Sequence, residues 1–533
     1  MSTVTARKPR DWLVMAALAL AVVLGVWAPQ LARLYPFTYD ELVYLRKTRA
    51  YDQWLRQGMA QAQAGNPGWL LSAEAIDAAE ALHDMHPGLV KLVGLWPHWV
   101  LQAVLGREGG ARLTGSLFLA LACCTVYWFL APRCGRLWAL TGALGLALHP
   151  RVFGHAHFHA LDVPVMAVSL LAALACYRAA HANRWPAAAG AAVLVGLAFG
   201  TKLNAVALIP QVGLWLVVSR PAGARRLLAC LPLALPAFLL CWPWLWPDPV
   251  GRLGEYLAFH AHHYHPGATY FGRIYGGELT APWHYPLAML ALTMPTTWLL
   301  ALLPGLVQAA RRRLGPASGF LLLGLVLNLG LACWPTAARY GGIRLFLPAL
   351  PYAVMLAMLV VHQWYQRLRA DQWPRSRLLK ALIVTGLLLP GVAGITRLYP
   401  YCLSYYSGLC GGLAGASRLG LELTYWGDAY GGARDFMAAP AQSKARFVAA
   451  TELATGVIDA LVAAGEVPPQ HRLLGRFVRD SLPTDDDYVI ADSHAPMWPP
   501  AIVPLLATDK PVVRVRREGV ALLSIYRNPA RSP

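Results

Sequence analysis

Eleven stretches of the chain contain no Asp, Glu, Lys or Arg and are dominated by apolar side chains: 12–31, 113–131, 137–150, 163–177, 186–200, 205–219, 227–246, 286–307, 317–334, 345–361 and 381–396. A helix crossing a bilayer needs about 20 mostly apolar residues, so the shorter stretches are read as extending a turn into their flanks. This pattern predicts an α-helical polytopic membrane protein with about 11 transmembrane helices. Of the 533 residues, 57% are hydrophobic and 14% charged, against about 25% charged in a soluble domain. A soluble enzyme and a disordered chain are both excluded, since disorder requires low hydrophobicity. The net charge of +19 would suit a nucleic-acid binder, but the location of the charges gives it a different meaning.

Basic residues close to the ends of spans favour the cytoplasmic side. Arg7, Lys8 and Arg10 precede the first span, which puts the N-terminus inside. With eleven spans the inside loops carry Arg133 and Arg136, Arg178 and Arg184, Arg220, Arg225 and Arg226, Arg311 to Arg313, and Arg367, Arg369, Arg375, Arg377 and Lys380. These short segments hold 18 basic residues against two acids, Asp11 and Asp371. Reading 89–106 as a twelfth span would export the later basic clusters. That segment contains Lys91, Pro97 and His98 and is read as a helix at the outer membrane face. The first span has a long apolar core without a following cleavage motif, so it is read as an uncleaved anchor.

The acids sort in the complementary way. Seven of the 27 lie in 35–88 and thirteen in 397–533. Two exported regions follow: a loop over 35–112 with interfacial helices, within a transmembrane module of 1–396, and a C-terminal domain over 397–533. Asp40 to Gln57 reads as a helix. In the tail, 442–464 suits a helix stopped by Gly465, Asp487–Ala491 suits a strand, and Val512–Arg517 with Val520–Arg527 suits a hairpin. The tail is therefore an expected periplasmic α/β domain. Cys402 and Cys410 fall in this exported part, where a disulfide and two free thiols are both open readings. The outward loop 247–285 clusters His260, His262, His263 and His265 with Tyr264, Tyr270, Phe271 and Tyr275. An aromatic membrane-interface surface is preferred there over a metal site.

A few charges break this sorting. Asp40-Glu41 sits just outside the first span, where a carboxylate pair suits either a general base or a solvated helix start. Asp162 is the only acid between Glu108 and Asp248; an ionisable group at the bilayer is costly and points to function. Lys202 interrupts two short apolar segments around glycines, a pattern that marks binding sites. Arg344 opens the tenth span on the outer face, Arg339 lies shortly before it, and Arg273 is in the aromatic loop. Outward cations at this depth suit a lipid phosphate, and snorkelling side chains are the alternative.

Taken together, these features resemble the glycosyltransferase C superfamily, specifically the bacterial relatives of protein O-mannosyltransferases (glycosyltransferase family 39), and they are also similar to aminoarabinose transferases of lipid A. The matching elements occur in order: Asp40-Glu41, HPGLVK at 86–91, Leu161-Asp162 with Pro164, GLAFGTK at 196–202, and Arg344 to Pro348. The stretch 403–430 also resembles the start of the soluble tail in some members. Two departures are Gly88 in place of the second Pro of an HPP motif, and Arg344-Leu345-Phe346 where an Arg-Tyr precedes Leu-Pro.

The resemblance implies transfer of a sugar from a polyprenyl-phosphate donor to an acceptor hydroxyl, with inversion at the anomeric carbon. It implies Asp40 as the base or orienting group, with Glu41 and Asp162 shaping the catalytic pocket. Lys202, Arg344 and Arg273 would hold the donor phosphate. His86, Lys91 and His159 are assigned to the acceptor or donor pocket. No metal is required, although Asp40 and Asp162 would be the residues to share a divalent ion. The expected partners are the polyprenyl-linked sugar, membrane lipids and a glycan, lipid or protein acceptor, with no nucleic acid. The expected location is the bacterial inner membrane, with the active site facing the periplasm. A secondary transporter and a non-catalytic envelope-assembly protein remain the alternatives.

Overall fold

The first apolar stretch forms α1 (Pro9–Leu31), and its outer face presents Trp12, Leu13, Leu20 and Leu24. Such exposure is costly in water and natural in lipid. The computed structural model describes residues 9–31, 36–82, 84–262, 266–277, 279–368, 373–507 and 510–531. Arg7, Lys8, His263, Tyr264, His265, Arg369 and Asp371 lie outside the described residues, as do the side chains of Arg10, Glu108 and Arg375.

Among the described residues, five helical segments are long and apolar enough to cross a membrane: Asp11–Ala28, Gly109–Cys134, Asp162–Ala182, Arg344–Leu368 and Ser376–Leu398. Shorter apolar helices cover Trp185–Phe199, Leu203–Ser219, Thr296–Ala310 and Ser318–Cys333. Two predicted spans are broken. The stretch 227–246 divides into Ala224–Cys230 and Ala234–Leu240 with 3-10 turns at Leu231–Leu233 and Pro243–Leu245. The stretch 286–307 divides at Met294-Pro295, where the backbone turns extended. Proline removes a helical donor and biases the preceding residue away from helix, which accounts for both breaks.

Helical structure runs without interruption from Leu89 to Cys134, so no loop separates the 89–106 segment from the span that follows. The run is nevertheless bent back on itself. A Cβ built on Gly110 would lie 2.8 Å from the Pro97 carbonyl oxygen, and one on Gly94 would lie 3.4 Å from Thr114 Oγ1. In a straight helix, residues so separated would be about 20 and 30 Å apart. Leu89–Leu101 therefore packs antiparallel against residues 109–116.

The basic loops gather at one end of the bundle. Arg136 pairs with Asp11 at 2.6 Å, Arg226 donates to the Asn183 carbonyl, and Arg133, Arg313 and His362 line one shallow cavity. The acidic loop and the C-terminal domain meet at the other end, through α2 (Tyr39–Gln63). Tyr39 N donates to the Trp426 carbonyl at 3.1 Å.

The C-terminal domain holds a four-stranded sheet ordered β3-β4-β6-β5, with β3 (Phe447–Ala449) parallel to β4 (Tyr488–Asp492). The predicted hairpin is β5 (Val513–Arg517) and β6 (Val520–Arg527), antiparallel across Glu518-Gly519. A separate two-stranded hairpin, β1 (Ala268–Tyr270) and β2 (Arg273–Tyr275), lies in the aromatic loop. The helix expected over 442–464 is shorter, Glu452–Ala463, because Phe447, Val448 and Ala449 are buried as β3. Gly465 ends it at φ +73 as expected. Cys402 and Cys410 form no disulfide among the described residues; Cys402 is buried, and Cys410 Sγ lies within hydrogen-bonding reach of the Ser407 carbonyl.

Candidate active site

The first turn of α2 carries Asp40 and Glu41 on adjacent positions, so their side chains diverge, and the two acids have different partners. Asp40 forms an ion pair with Arg344 Nη1. Its side chain is 36% exposed while that of Arg344 is 9%, so the carboxylate is open to an incoming group and the guanidinium is not. Arg344 lies 5.0 Å from the Tyr340 ring centroid and 5.1 Å from that of Trp426. Its Nε is buried against the Gly341 backbone with no hydrogen-bond partner among the described residues.

Glu41 is fully buried and its oxygens are occupied. Arg112 donates from Nε at 2.8 Å and from Nη2 at 2.6 Å, and the His159 backbone N–H donates at 2.9 Å. Arg112 Nη2 also donates to the Pro36 carbonyl at 2.8 Å. Glu41 therefore clamps α2 to the Gly109–Cys134 span and to the loop before Asp162; it reaches no open space. Arg112 borders the apolar stretch 113–131, and sequence reasoning did not single it out.

Asp162 opens the next long span and is buried. Lys202, in extended backbone between the Trp185–Phe199 helix and the following 3-10 turn, donates to it at 2.7 Å. Asp162 also lies within electrostatic reach of Arg344 and His155. The two ion pairs, Asp40–Arg344 and Asp162–Lys202, thus form one cluster of alternating charge. Tyr44, one helical turn after Asp40, is buried within reach of Asp40, Asp84, Asp162 and Arg344. Burial, reinforced by those acids, pushes its phenol well above the ordinary value. Sequence reasoning passed over Tyr44, although its i,i+4 spacing from Asp40 was the available signal.

The remaining candidates divide. His159 accepts a place one layer behind the cluster, with its Nε2 2.8 Å from Thr48 Oγ1. Lys91 is buried, pairs with Asp84 at 2.5 Å and donates to the His86 carbonyl at 2.8 Å. Both reach the cluster through Tyr44: Lys91 Nζ is 5.7 Å from its ring centroid and the His86 ring 6.2 Å. Arg273 takes no part in these ion pairs. It is exposed on β2, 5.4 Å from the Tyr275 ring of its own strand. Arg339 is consumed by loop carbonyls, donating to Ala281 and Trp334 at 2.5 Å each.

For a metal, Asp40 and Asp162 do not fit: each carboxylate is neutralised by its own cation. Among the described residues no group of three or more His, Cys, Asp or Glu converges as a metal site. His260 instead contacts the Met85 carbonyl at 3.3 Å and packs edge-on against Tyr256.

The C-terminal segment closes the cluster from outside. Trp426 packs against His155 at 5.0 Å and Phe158 at 5.6 Å as well as Arg344, and Tyr425 OH is 3.1 Å from His155 Nε2. Behind it, Asp428 is fully buried with neither carboxylate oxygen hydrogen-bonded among the described residues. Burial, and then the neighbouring Asp492, push the Asp428 carboxyl up to about 7. Burial alone also raises Asp492. His494 is held above its ordinary value: burial pulls it down, but contact with Glu422 and the charge of Asp492 prevail.

Residues 86–246 match the family model described as dolichyl-phosphate-mannose-protein mannosyltransferase. This segment contains three of the five motif elements, from HPGLVK to GLAFGTK. No curated protein matches the chain. Among solved structures, the fold is similar to that of ArnT from Cupriavidus metallidurans bound to undecaprenyl phosphate, with TM-score 0.50 and 16% identity over 99% of this chain and 100% of that one. The archaeal oligosaccharyltransferase AglB from Archaeoglobus fulgidus aligns with TM-score 0.46 and 12% identity, over 93% of this chain and 72% of its own. The likeness to ArnT spans the helical module and the C-terminal domain together. The family match over 86–246 and the fold likeness to ArnT agree with the resemblance to the glycosyltransferase C superfamily read from the order of the motifs.

Proposed function

We propose that the protein is a membrane glycosyltransferase that moves a sugar from a polyprenyl-phosphate donor to an acceptor hydroxyl at the outer face, inverting the anomeric carbon. The observation that carries this reading is the paired cluster: a partly open carboxylate, Asp40, held beside a buried cation, Arg344, and next to the Asp162–Lys202 pair. Inverting transfer needs a base on one side of the anomeric carbon and positive charge on the other. The undecaprenyl phosphate bound to ArnT and the mannosyl-phosphate donor named in the family description support the donor class.

In this reading Asp40 accepts the proton of the acceptor hydroxyl. The oxygen attacks the anomeric carbon as the bond to the phosphate oxygen breaks, and that electron pair stays on the phosphate. The positive charges of Arg344 and Lys202 stabilise the charge that grows there, which is the dominant electrostatic task. Tyr44 and Trp426 hold the cluster in register, so that the reactants meet already aligned. The bulk of the fold contributes by keeping these groups fixed at the bilayer surface with the N-terminus and basic loops on the cytoplasmic side.

The test is transfer by the purified protein, mixing labelled polyprenyl-phosphate sugar with an envelope extract. The expected result is a glycosylated product of inverted anomeric configuration. Retention of configuration, or solute uptake without transfer, would contradict the proposal.

A further inference from the structure

Arg344 follows two consecutive glycines, Gly341 and Gly342, at φ +64 and +63, a left-handed conformation that other residues adopt at a cost. A Cβ on Gly341 would lie 2.7 Å from Arg344 Nε, and one on Gly342 would lie 2.1 Å from Arg151 Nη1. The turn is therefore packed tightly between two arginine side chains, Gly341 against Arg344 and Gly342 against Arg151. What holds it is not part of its own span. The Gly342 N–H donates to Glu422 Oε2 at 3.1 Å and to Tyr285 OH at 3.1 Å. Glu422 is buried, and its backbone carbonyl is fixed by Tyr406 OH at 2.7 Å. The other carboxylate oxygen lies 3.3 Å from His494 Nε2, itself buried, immediately after β4 of the C-terminal sheet.

We propose that Glu422 and His494 are positioning residues through which the C-terminal domain sets the donor-phosphate cation Arg344, by way of the Gly341-Gly342 turn. This rests on the reading of Arg344 as the phosphate-binding group. A buried carboxylate needs a compensating cation, and His494 supplies it from within the same C-terminal domain. The turn N–H alone is a single neutral donor. Withdrawing His494 leaves Glu422 as an uncompensated buried charge beside the turn. Withdrawing Glu422 leaves the Gly342 N–H held by Tyr285 OH alone, and the guanidinium then loses part of its fixed approach to the phosphate. The acceptor side, carried by Asp40 on α2, has its own anchor in the Glu41–Arg112 clamp. The effect is therefore selective for the donor.

The experiment compares the full-length wild type with Glu422→Ala, His494→Ala, the double variant and Glu422→Gln. Transfer kinetics are recorded with the polyprenyl-phosphate sugar varied, and separately with the acceptor varied, alongside thermal unfolding and binding of polyprenyl phosphate alone. Each single variant is expected to raise the donor KM and the Kd for polyprenyl phosphate about tenfold, leaving the acceptor KM unchanged. The double variant is expected to be no worse than either single one, because the two act as a unit. Glu422→Gln, which keeps an acceptor for Gly342, is expected to recover most of the loss. Donor KM at the wild-type value in the folded single variants overturns the proposal, and so do additive effects or equal losses for donor and acceptor. An Asp40→Asn control separates the two claims. Transfer surviving in that variant refutes the assignment of the reaction's base, whereas an inactive Asp40→Asn with unaffected Glu422 and His494 variants refutes only the positioning role.

Discussion

Asp40 and Arg344 stand 304 residues apart in the chain and meet as an ion pair at the mouth of the bundle. The pair joins the first turn of α2 to the turn that opens the Arg344–Leu368 span. One partner is partly open and the other is buried, and in the proposed reading this asymmetry gives the site a side for the acceptor and a side for the phosphate.

Losing the buried cation is expected to damage transfer more than losing the exposed one. Arg344→Lys keeps the charge but removes the planar fork, and Lys202→Met leaves Asp162 buried without its partner. Each should lower kcat/KM for the donor by roughly 100-fold or more. Arg273→Ala, exposed on β2, should stay near wild type. Steady-state kinetics on the three variants decide this, and a severe loss in Arg273→Ala would place the phosphate elsewhere.

The Glu41–Arg112 pair is a stability element. Arg112→Met leaves a fully buried carboxylate facing apolar surroundings, which costs about 3–5 kcal/mol. The expected outcome is a marked fall in the unfolding midpoint in detergent and poor yield in the membrane. Replacing both partners, Glu41→Gln with Arg112→Met, should recover much of it. A midpoint unchanged in Arg112→Met would show that Glu41 is otherwise compensated.

Asp428 makes stability depend on pH. Its carboxyl sits at about 7 in the folded protein and near 4 when unfolded, so the folded state binds the extra proton between these values. Stability from this group is therefore full at the acid end, falls as pH rises from about 4 to about 7, and is level above. Asp428→Asn removes the ionising group and should raise the unfolding midpoint by a few degrees above pH 7 relative to wild type. The gain should vanish towards pH 4. A gain of the same size at both ends would mean that charge is not its origin.

Much of the architecture was legible because apolar stretches and charge sorting are local signals. The five long spans, the helix after Asp40, the strand ending at Asp492 and the hairpin across Glu518-Gly519 follow from periodicity and turn chemistry. The strand over Phe447–Ala449 did not, since three apolar residues beside a helical pattern carry no period of their own. Asp40, Asp162, Lys202 and Arg344, which the structure brings into one cluster, stood out in the sequence because each is a charge at bilayer depth. Their pairing was not legible, because no spacing connects positions 40 and 344 or 162 and 202. Tyr44, Arg112 and Glu422 escaped for the same reason: a tyrosine in an aromatic-rich helix, an arginine beside a span and an acid in a soluble tail are ordinary until the fold gives them partners.

The most direct measurement is the rate of sugar transfer by Asp40→Asn under saturating donor and acceptor. The substitution preserves shape and removes both the base and the negative charge that pairs with Arg344. The account predicts a fall in kcat of roughly 100- to 10,000-fold with polyprenyl phosphate still bound. A kcat within a few-fold of wild type would contradict it and move the chemistry away from the Asp40–Arg344 pair.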